Sequence, residues 1–171
     1  MSISNLANPY NKKRGRSRTR NVNKAMESLN QNAKEIFCKI IDAMNGKQNL
    51  KLHAKNCFPL IIEQIGYNID TEFGKGCLYS FCQYFVQNGD LMQDPEMCFL
   101  VVDNRTDKSA AIDDVYVFPY MYQLARLCFY ECSIDMCDKI VEVKTAMQIK
   151  HKLLAQVWLD ELKSLGFLKL L

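Results

Sequence analysis

The sequence predicts an α+β fold, in which a mainly antiparallel sheet is built on a central hairpin and flanked by two helices. The strongest signal is Asn88-Gly89, which lies between the apolar runs Cys77 to Val86 and Met97 to Val102. A two-residue turn between strands favours residues that tolerate positive φ. Apolar residues also recur at helical spacing near both ends of the chain. We therefore expect an N-terminal helix, a sheet and a long C-terminal helix.

The composition is that of a globular protein, with 171 residues, 49% apolar and 24% charged. No apolar run approaches the roughly 20 residues needed to span a bilayer, and none has the form of a secretory signal. Most of the eight cysteines lie in apolar runs, where a free thiol behaves as a small buried hydrophobe; these are Cys38, Cys77, Cys82, Cys98 and Cys128. We expect a cytoplasmic protein with reduced thiols and no membrane contact.

Charge is divided unequally along the chain. Residues 1–24 contain seven basic and no acidic residues, whereas the remainder contains 15 basic and 19 acidic residues. We expect residues 1–23 to be a basic tail that is disordered when free, followed by a single α+β domain over 24–171. Closely spaced cations can contact successive phosphates, which makes the tail a predicted nucleic-acid-binding arm, with a merely solubilising tail as the alternative; its basic residues are Lys12, Lys13, Arg14, Arg16, Arg18 and Arg20.

The elements before the hairpin follow from periodicity. Apolar spacing predicts a helix from about residue 22 to 45, with Gly46 as its stop. Alternation predicts a strand over Leu50 to Ala54. Phe58 to Ile65 favours a strand, although a short helix is also compatible with it. Residues 67–76 are rich in Asn, Asp and Gly and are predicted to be a loop.

The elements after the hairpin are a second group of predictions. Asp94-Pro95 predicts a second bend after the turn, and residues 104–114 a polar surface connection. Val115 to Phe118 is predicted to be a strand that Pro119 interrupts. Periodicity leaves Tyr120 to Cys132 open between strand and helix. A broad apolar face predicts a helix from about Asp135 to Leu165, with Gly166 in a capping position.

The central hairpin is the candidate functional site within the domain. Asp90, Asp94 and Glu96 are clustered there, and paired carboxylates are a common arrangement in metal-dependent hydrolases. Asn88 and Gly89 complete the candidate hairpin. Turn chemistry explains the same residues more simply, because hairpin tips are normally polar. We therefore predict no metal site here and keep the hydrolase as an alternative.

The remaining cysteines and histidines do not form a recognised motif. Cys128, Cys132 and Cys137 are separated by three and four residues rather than the two of a compact zinc knuckle, so buried thiols are favoured. His53 is expected in a strand and His151 on the polar side of the C-terminal helix. No glycine-rich phosphate loop is present. The sequence predicts no catalytic residue and no cofactor.

Aromatic residues are concentrated on the predicted strands. Tyr116, Phe118, Tyr120 and Tyr122 share one parity, so they line one face if the strand runs straight through Pro119. Packing against the helices is the favoured interpretation. A platform on which unpaired bases stack is the alternative.

The segment Gln87 to Met97, which reads Gln-Asn-Gly-Asp-Leu-Met-Gln-Asp-Pro-Glu-Met, resembles the signature of an uncharacterised domain family of phages, plasmids and integrative elements. The pair Trp158-Leu159 and the stretch Pro59 to Gly66 are also similar to that family. The resemblance covers about residues 33 to 167. It implies a mobile-element context and carries no established activity or catalytic residue.

These observations together predict a non-enzymatic accessory protein of a phage or mobile genetic element that acts by binding. The basic tail is expected to contact nucleic acid, and the mildly acidic domain a protein partner. A metal-dependent hydrolase that uses the hairpin carboxylates is one alternative. An inhibitor that binds a host protein, with an incidental tail, is another.

Overall fold

The computed structural model describes residues 26–171. The predictions made for residues 1–23, including the six basic residues of the tail, lie outside the described residues. The predicted α+β fold is confirmed, with one antiparallel sheet in the order β1-β2-β3-β4-β5-β6 and a separate two-stranded sheet of β7 and β8. The elements are α1 Gln31–Ala43, β1 Asn49–Leu52, β2 Leu60–Thr71, β3 Gly74–Gln87, β4 Asp90–Asp103, β5 Val115–Leu124, β6 Phe129–Cys132, β7 Ile134–Met136, β8 Ile140–Val143 and α2 Thr145–Leu165.

The two faces of the large sheet are covered differently. The inner face carries Ile62, Phe81 and Met97, and packs with α1 and α2 in the main core. The outer face carries Leu100 and Phe118, which pack with β7 and β8 in a second cluster. The helices therefore cover one side of the sheet, and a small hairpin covers part of the other.

Helix α1 begins nine residues later than predicted. Asn30 caps it, because its side chain accepts a hydrogen bond from the Ala33 N–H. Residues 26–30 are not helical, since they attach to β5: the Leu29 N–H donates to the Val117 carbonyl at 2.9 Å, and the Val117 N–H donates to Ser28 Oγ at 2.9 Å. The predicted start was wrong because these residues hydrogen-bond to β5 and therefore do not continue the helix.

The predicted loop over residues 67–76 is also wrong. β2 continues to Thr71, and a two-residue turn leads directly into β3. The strand predicted over Phe58 to Ile65 is thereby confirmed and extended. Gly76 lies within the sheet, where a Cβ atom would come within 2.6 Å of Leu100 Cδ1. This position requires glycine because the next strand packs closely against it, and not because the chain turns there.

Pro119 does not interrupt its strand, which corrects the prediction, and the bend predicted at Asp94-Pro95 lies within a strand. β4 runs through Pro95 and β5 runs through Pro119, and each strand has a register shift beside its proline. Such bulges accommodate a residue that cannot donate to the ladder. The bulge in β5 also changes the facing of its aromatics: Tyr116, Phe118 and Tyr120 pack in the second cluster, whereas Tyr122 packs in the main core. The expectation of one shared aromatic face was wrong, and these side chains pack as core residues.

The C-terminal helix is shorter than predicted. Its first ten predicted residues contain most of β7 and β8 instead, because Ile134, Ile140 and Val143 pack on the outer face of the sheet. The stop at Gly166 is confirmed, with φ +93° at the C-cap. No helix in the described part of the chain is long and apolar enough to cross a membrane.

The prediction of buried thiols holds for one cysteine of α1 and two of the sheet, and it is wrong for Cys128 and Cys137. Cys38, Cys82 and Cys98 are buried, and burial raises the pKa of the Cys38 thiol to about 11 and those of the other two to about 12. These thiols are therefore protonated at neutral pH and are poor nucleophiles. Cys128 and Cys137 are exposed, and Cys77 and Cys132 are half-buried. Cys128 ends a 3-10 turn with a φ of 50°, so it does not continue an apolar strand.

A buried arginine fastens the loop after β4 to helix α1. The side chain of Arg105 is only 4% exposed and donates to Asp103 at 2.7 Å and to Asp42 of α1 at 2.9 Å. Hydrogen bonds from Arg105 hold the pKa of the Asp103 carboxyl below its usual range, although burial by itself would raise it. Lys108 Nζ also donates to the Asp42 carbonyl at 2.8 Å, near the C-terminus of α1. This cluster ties together a helix, a strand end and a loop.

Replacement of Arg105 by methionine should lower the free energy of unfolding by about 2–4 kcal/mol, because two partly buried carboxylates would lose their shared cation. Urea unfolding measures the change. Lys75→Met is the matched control, since Lys75 and Asp70 are each 64% exposed and such pairs contribute less than about 1 kcal/mol. Equal losses in the two variants would show that Arg105 is not a structural centre.

Candidate functional site

The central hairpin forms as predicted and extends past its neighbours. Asn88 and Gly89 have φ values of 53° and 93°, as a two-residue turn of this type requires. β2 pairs with β3 only as far as Gln83, and β5 pairs with β4 only as far as Glu96. The tip, which we define as residues 84–93, therefore projects from the sheet with no strand beside it in the described part of the chain.

The three candidate carboxylates of the hairpin have separate roles. Asp90 is exposed beside the turn. Asp94 forms an ion pair with Arg126 at 3.1 Å, and its own side chain is 9% exposed. Glu96 accepts a hydrogen bond from Ser80 Oγ at 2.7 Å. Among residues 26–171, no group of three His, Cys, Asp or Glu residues is arranged to hold a metal ion.

The inner side of the tip is held by a 3-10 turn over Ala125–Leu127. Arg126 of this turn lies 5.9 Å from the centre of the Phe85 ring while it contacts Asp94. A guanidinium over an aromatic face is attracted by the ring quadrupole. No local pattern signals this contact, because Arg126 is 32 residues from Asp94 and lies in a segment for which periodicity does not distinguish strand from helix.

The other side of the tip exposes apolar side chains. Val86 and Leu91 are cross-strand partners and are 65% and 68% exposed. They adjoin a cleft of about 370 Å³ on the outer face, lined by Lys51, Pro59, Ile61, Glu63, Tyr84 and Leu91. Burial is the main cause that raises the pKa of Tyr84, with Cys82 and the carboxylates of Glu96 and Glu63 adding to it. The phenol therefore stays neutral and can donate a hydrogen bond.

His151 is buried, which corrects the prediction that it lies on the polar side of the helix. His151 and Ser133 are both fully buried, and their Nδ1 and Oγ atoms are 2.9 Å apart. Nε2 lies 3.4 Å from Glu131 Oε2. A serine beside a histidine is the pairing needed for nucleophilic catalysis, but no substrate can reach a fully buried hydroxyl. This network instead joins α2 to the connection between β6 and β7. His53 lies just past β1 and is exposed.

The free energy of unfolding should decrease as the pH falls below 6.5, because of His151. Burial lowers the pKa of His151 below its usual 6.5, although Glu131 partly opposes the shift. The unfolded chain therefore takes up a proton below pH 6.5 that the folded protein refuses, so the stabilisation present above pH 6.5 is lost as the pH falls. The slope approaches about 1.4 kcal/mol per pH unit.

Urea unfolding between about pH 5 and 7.5 measures this dependence. Glu131, whose pKa is lowered chiefly by a hydrogen bond from Lys150, contributes only at lower pH. His151→Gln should flatten the profile, whereas His53→Gln should leave it unchanged. A slope that survives in His151→Gln would assign the pH dependence to other groups.

Comparison with known proteins finds a family model and no activity. No curated protein and no solved structure matches the chain. A family model described as Domain of unknown function (DUF6908) matches residues 35–168, from the second turn of α1 to the residues after α2. The chain therefore belongs to this family of uncharacterised domains.

Proposed function

We propose that this protein is a non-enzymatic accessory protein of a phage or mobile genetic element, and that it acts by binding. The tip of the β3–β4 hairpin holds a protein partner, and the basic residues 12–20 contact nucleic acid. Inhibition of a host protein is one form that such binding takes.

The observation that carries the proposal is the exposed pair Val86 and Leu91 at the end of a projecting hairpin. An apolar pair on a projecting tip favours contact with another protein, because burying it removes apolar surface from water. The cleft beside Leu91 supplies a concave surface next to the pair. Arg126, Phe85 and Asp94 brace the opposite side, so the tip is held in place before a partner arrives.

The carboxylates support binding rather than hydrolysis. Asp94 is neutralised by Arg126, and Glu96 is hydrogen-bonded to Ser80. Metal-dependent hydrolysis requires carboxylates that converge on one ion. These two are directed to different protein groups. Asp90 remains as a charged residue at the rim of the apolar pair, where it favours a basic group on the partner.

The charge distribution supports the nucleic-acid part of the proposal. Seven basic residues precede residue 25, and the rest of the chain carries four more acidic than basic residues. A basic segment gains affinity for a phosphate backbone by releasing counterions. The acidic remainder is repelled by the same backbone and stays available to a protein.

The double substitution Val86→Lys/Leu91→Lys should abolish capture of a specific protein from host lysate, because two charges would have to be buried at the contact. Quantitative mass spectrometry of the captured proteins measures this. Stability should change by less than about 0.5 kcal/mol per site, since both side chains are exposed. Val141→Lys is the matched control, because Val141 lies on β8 and is 60% exposed. If the wild-type chain, the double variant and Val141→Lys all capture the same host proteins, the tip is not the contact.

Substitution of the six tail cations by glutamine should weaken nucleic-acid binding and reduce the slope of log K against log salt by about four to five. Fluorescence anisotropy with single-stranded DNA, duplex DNA and RNA at low and moderate salt measures both. The substituted residues are Lys12, Lys13, Arg14, Arg16, Arg18 and Arg20. The arm is rejected if the unmodified chain does not bind, or if the variant keeps the same salt slope.

A further inference from the structure

Helix α2 has a helix beside it on one flank only. On that flank, the Asn30 N–H donates to Gln156 Oε1 at 3.0 Å, and Asn32 Nδ2 donates to Asp160 Oδ1 at 2.6 Å. The buried face of α2, which includes Leu159, packs on the sheet. The other flank has no helix beside it within residues 26–171, so the helical layer over the sheet is incomplete.

This open flank is apolar and forms one wall of a groove. Val157 and Leu165 are 70% and 45% exposed, and they line the groove together with Leu154 and Trp158 of the same helix. Between this flank and the sheet lies a groove of about 320 Å³, whose sheet wall includes Pro95, Tyr122 and Leu124. A groove of this form fits an α-helix with an apolar face.

The order of residues along the flank is self-complementary. In two antiparallel helices related by a twofold axis, residues equally far from the axis on opposite sides face each other. With the axis between Ala155 and Gln156, Leu154 of each copy faces Val157 of the other. With the same axis, Lys150 faces Glu161 on both sides of the pair. We propose that a second copy of this chain docks its α2 antiparallel in this groove and forms a symmetric dimer.

The charges favour a second copy over an unrelated helix. Lys150 and Glu161 are both exposed and stand on either side of the apolar residues. Lys150 Nζ already donates to Glu131 at 3.0 and 2.9 Å, and an ammonium has three donors. The third N–H is available to Glu161 of the partner copy. Each dimer therefore gains two identical ion pairs that fix the antiparallel register.

Sedimentation velocity of the full chain over about 1–100 µM tests the proposal. We expect a species of twice the 19.8 kDa chain mass. Val157→Glu should be monomeric over this range, whereas Val141→Glu, on exposed β8, should remain dimeric. Circular dichroism verifies that each variant is folded.

A charge exchange provides the second, independent test. Glu161→Lys should weaken the dimer by about tenfold, because two pairs of like charges would meet. The triple variant Glu131→Lys/Lys150→Glu/Glu161→Lys should restore the wild-type affinity, since the pair within each chain and the pair across the dimer are both re-formed with reversed sign. A monomeric wild-type chain, a dimer that tolerates Val157→Glu, or a triple variant no tighter than Glu161→Lys would overturn the proposal. Because the surface differs from the hairpin tip, these outcomes leave the proposed partner contact to be judged separately.

Discussion

The packing of α1 on the inner face of the sheet through three phenylalanines is the contact on which the other elements depend. Phe37 of α1 stacks on Phe81 of β3 with ring centres 5.0 Å apart, and Phe99 of β4 lies 5.0 and 5.1 Å from these two rings. All three side chains are buried. Since β3 and β4 are the two strands of the central hairpin, this cluster anchors the base of the hairpin and allows its far end to project.

Bulges decide which groups reach each face of the sheet. The irregularity next to Pro119 turns Tyr122 towards the helices while Tyr116 and Phe118 remain on the outer face. The irregularity next to Pro95 lies where the hairpin leaves the sheet. A bulge bends a strand and increases its twist. Pro95 therefore lies where the projecting tip begins, and it also lines the groove beside α2.

Buried polar side chains connect the loops and helix ends to the rest of the fold. Arg105 connects a surface loop to the end of α1, and His151 connects α2 to the segment between β6 and β7. Arg105 reaches Asp42, which is 63 residues away in the sequence, and His151 reaches Ser133, which is 18 residues away. These contacts fix the relative positions of the elements they join, because breaking a buried hydrogen bond is energetically costly. The two surfaces proposed for binding rest on elements that such contacts hold.

Local signals in the sequence determined the Asn88-Gly89 turn, the two helices and the cap at Gly166, because each depends on backbone dihedrals or on the periodicity of one segment. Contacts between distant segments decided the rest. Strands pass through Pro95 and Pro119 because a neighbouring strand accepts a bulge, and residues 134–143 form strands because the outer face of the sheet accepts their apolar side chains. The partner of Asp94 and the burial of His151 were decided in the same way, since sequence spacing does not record which side chains meet across a sheet.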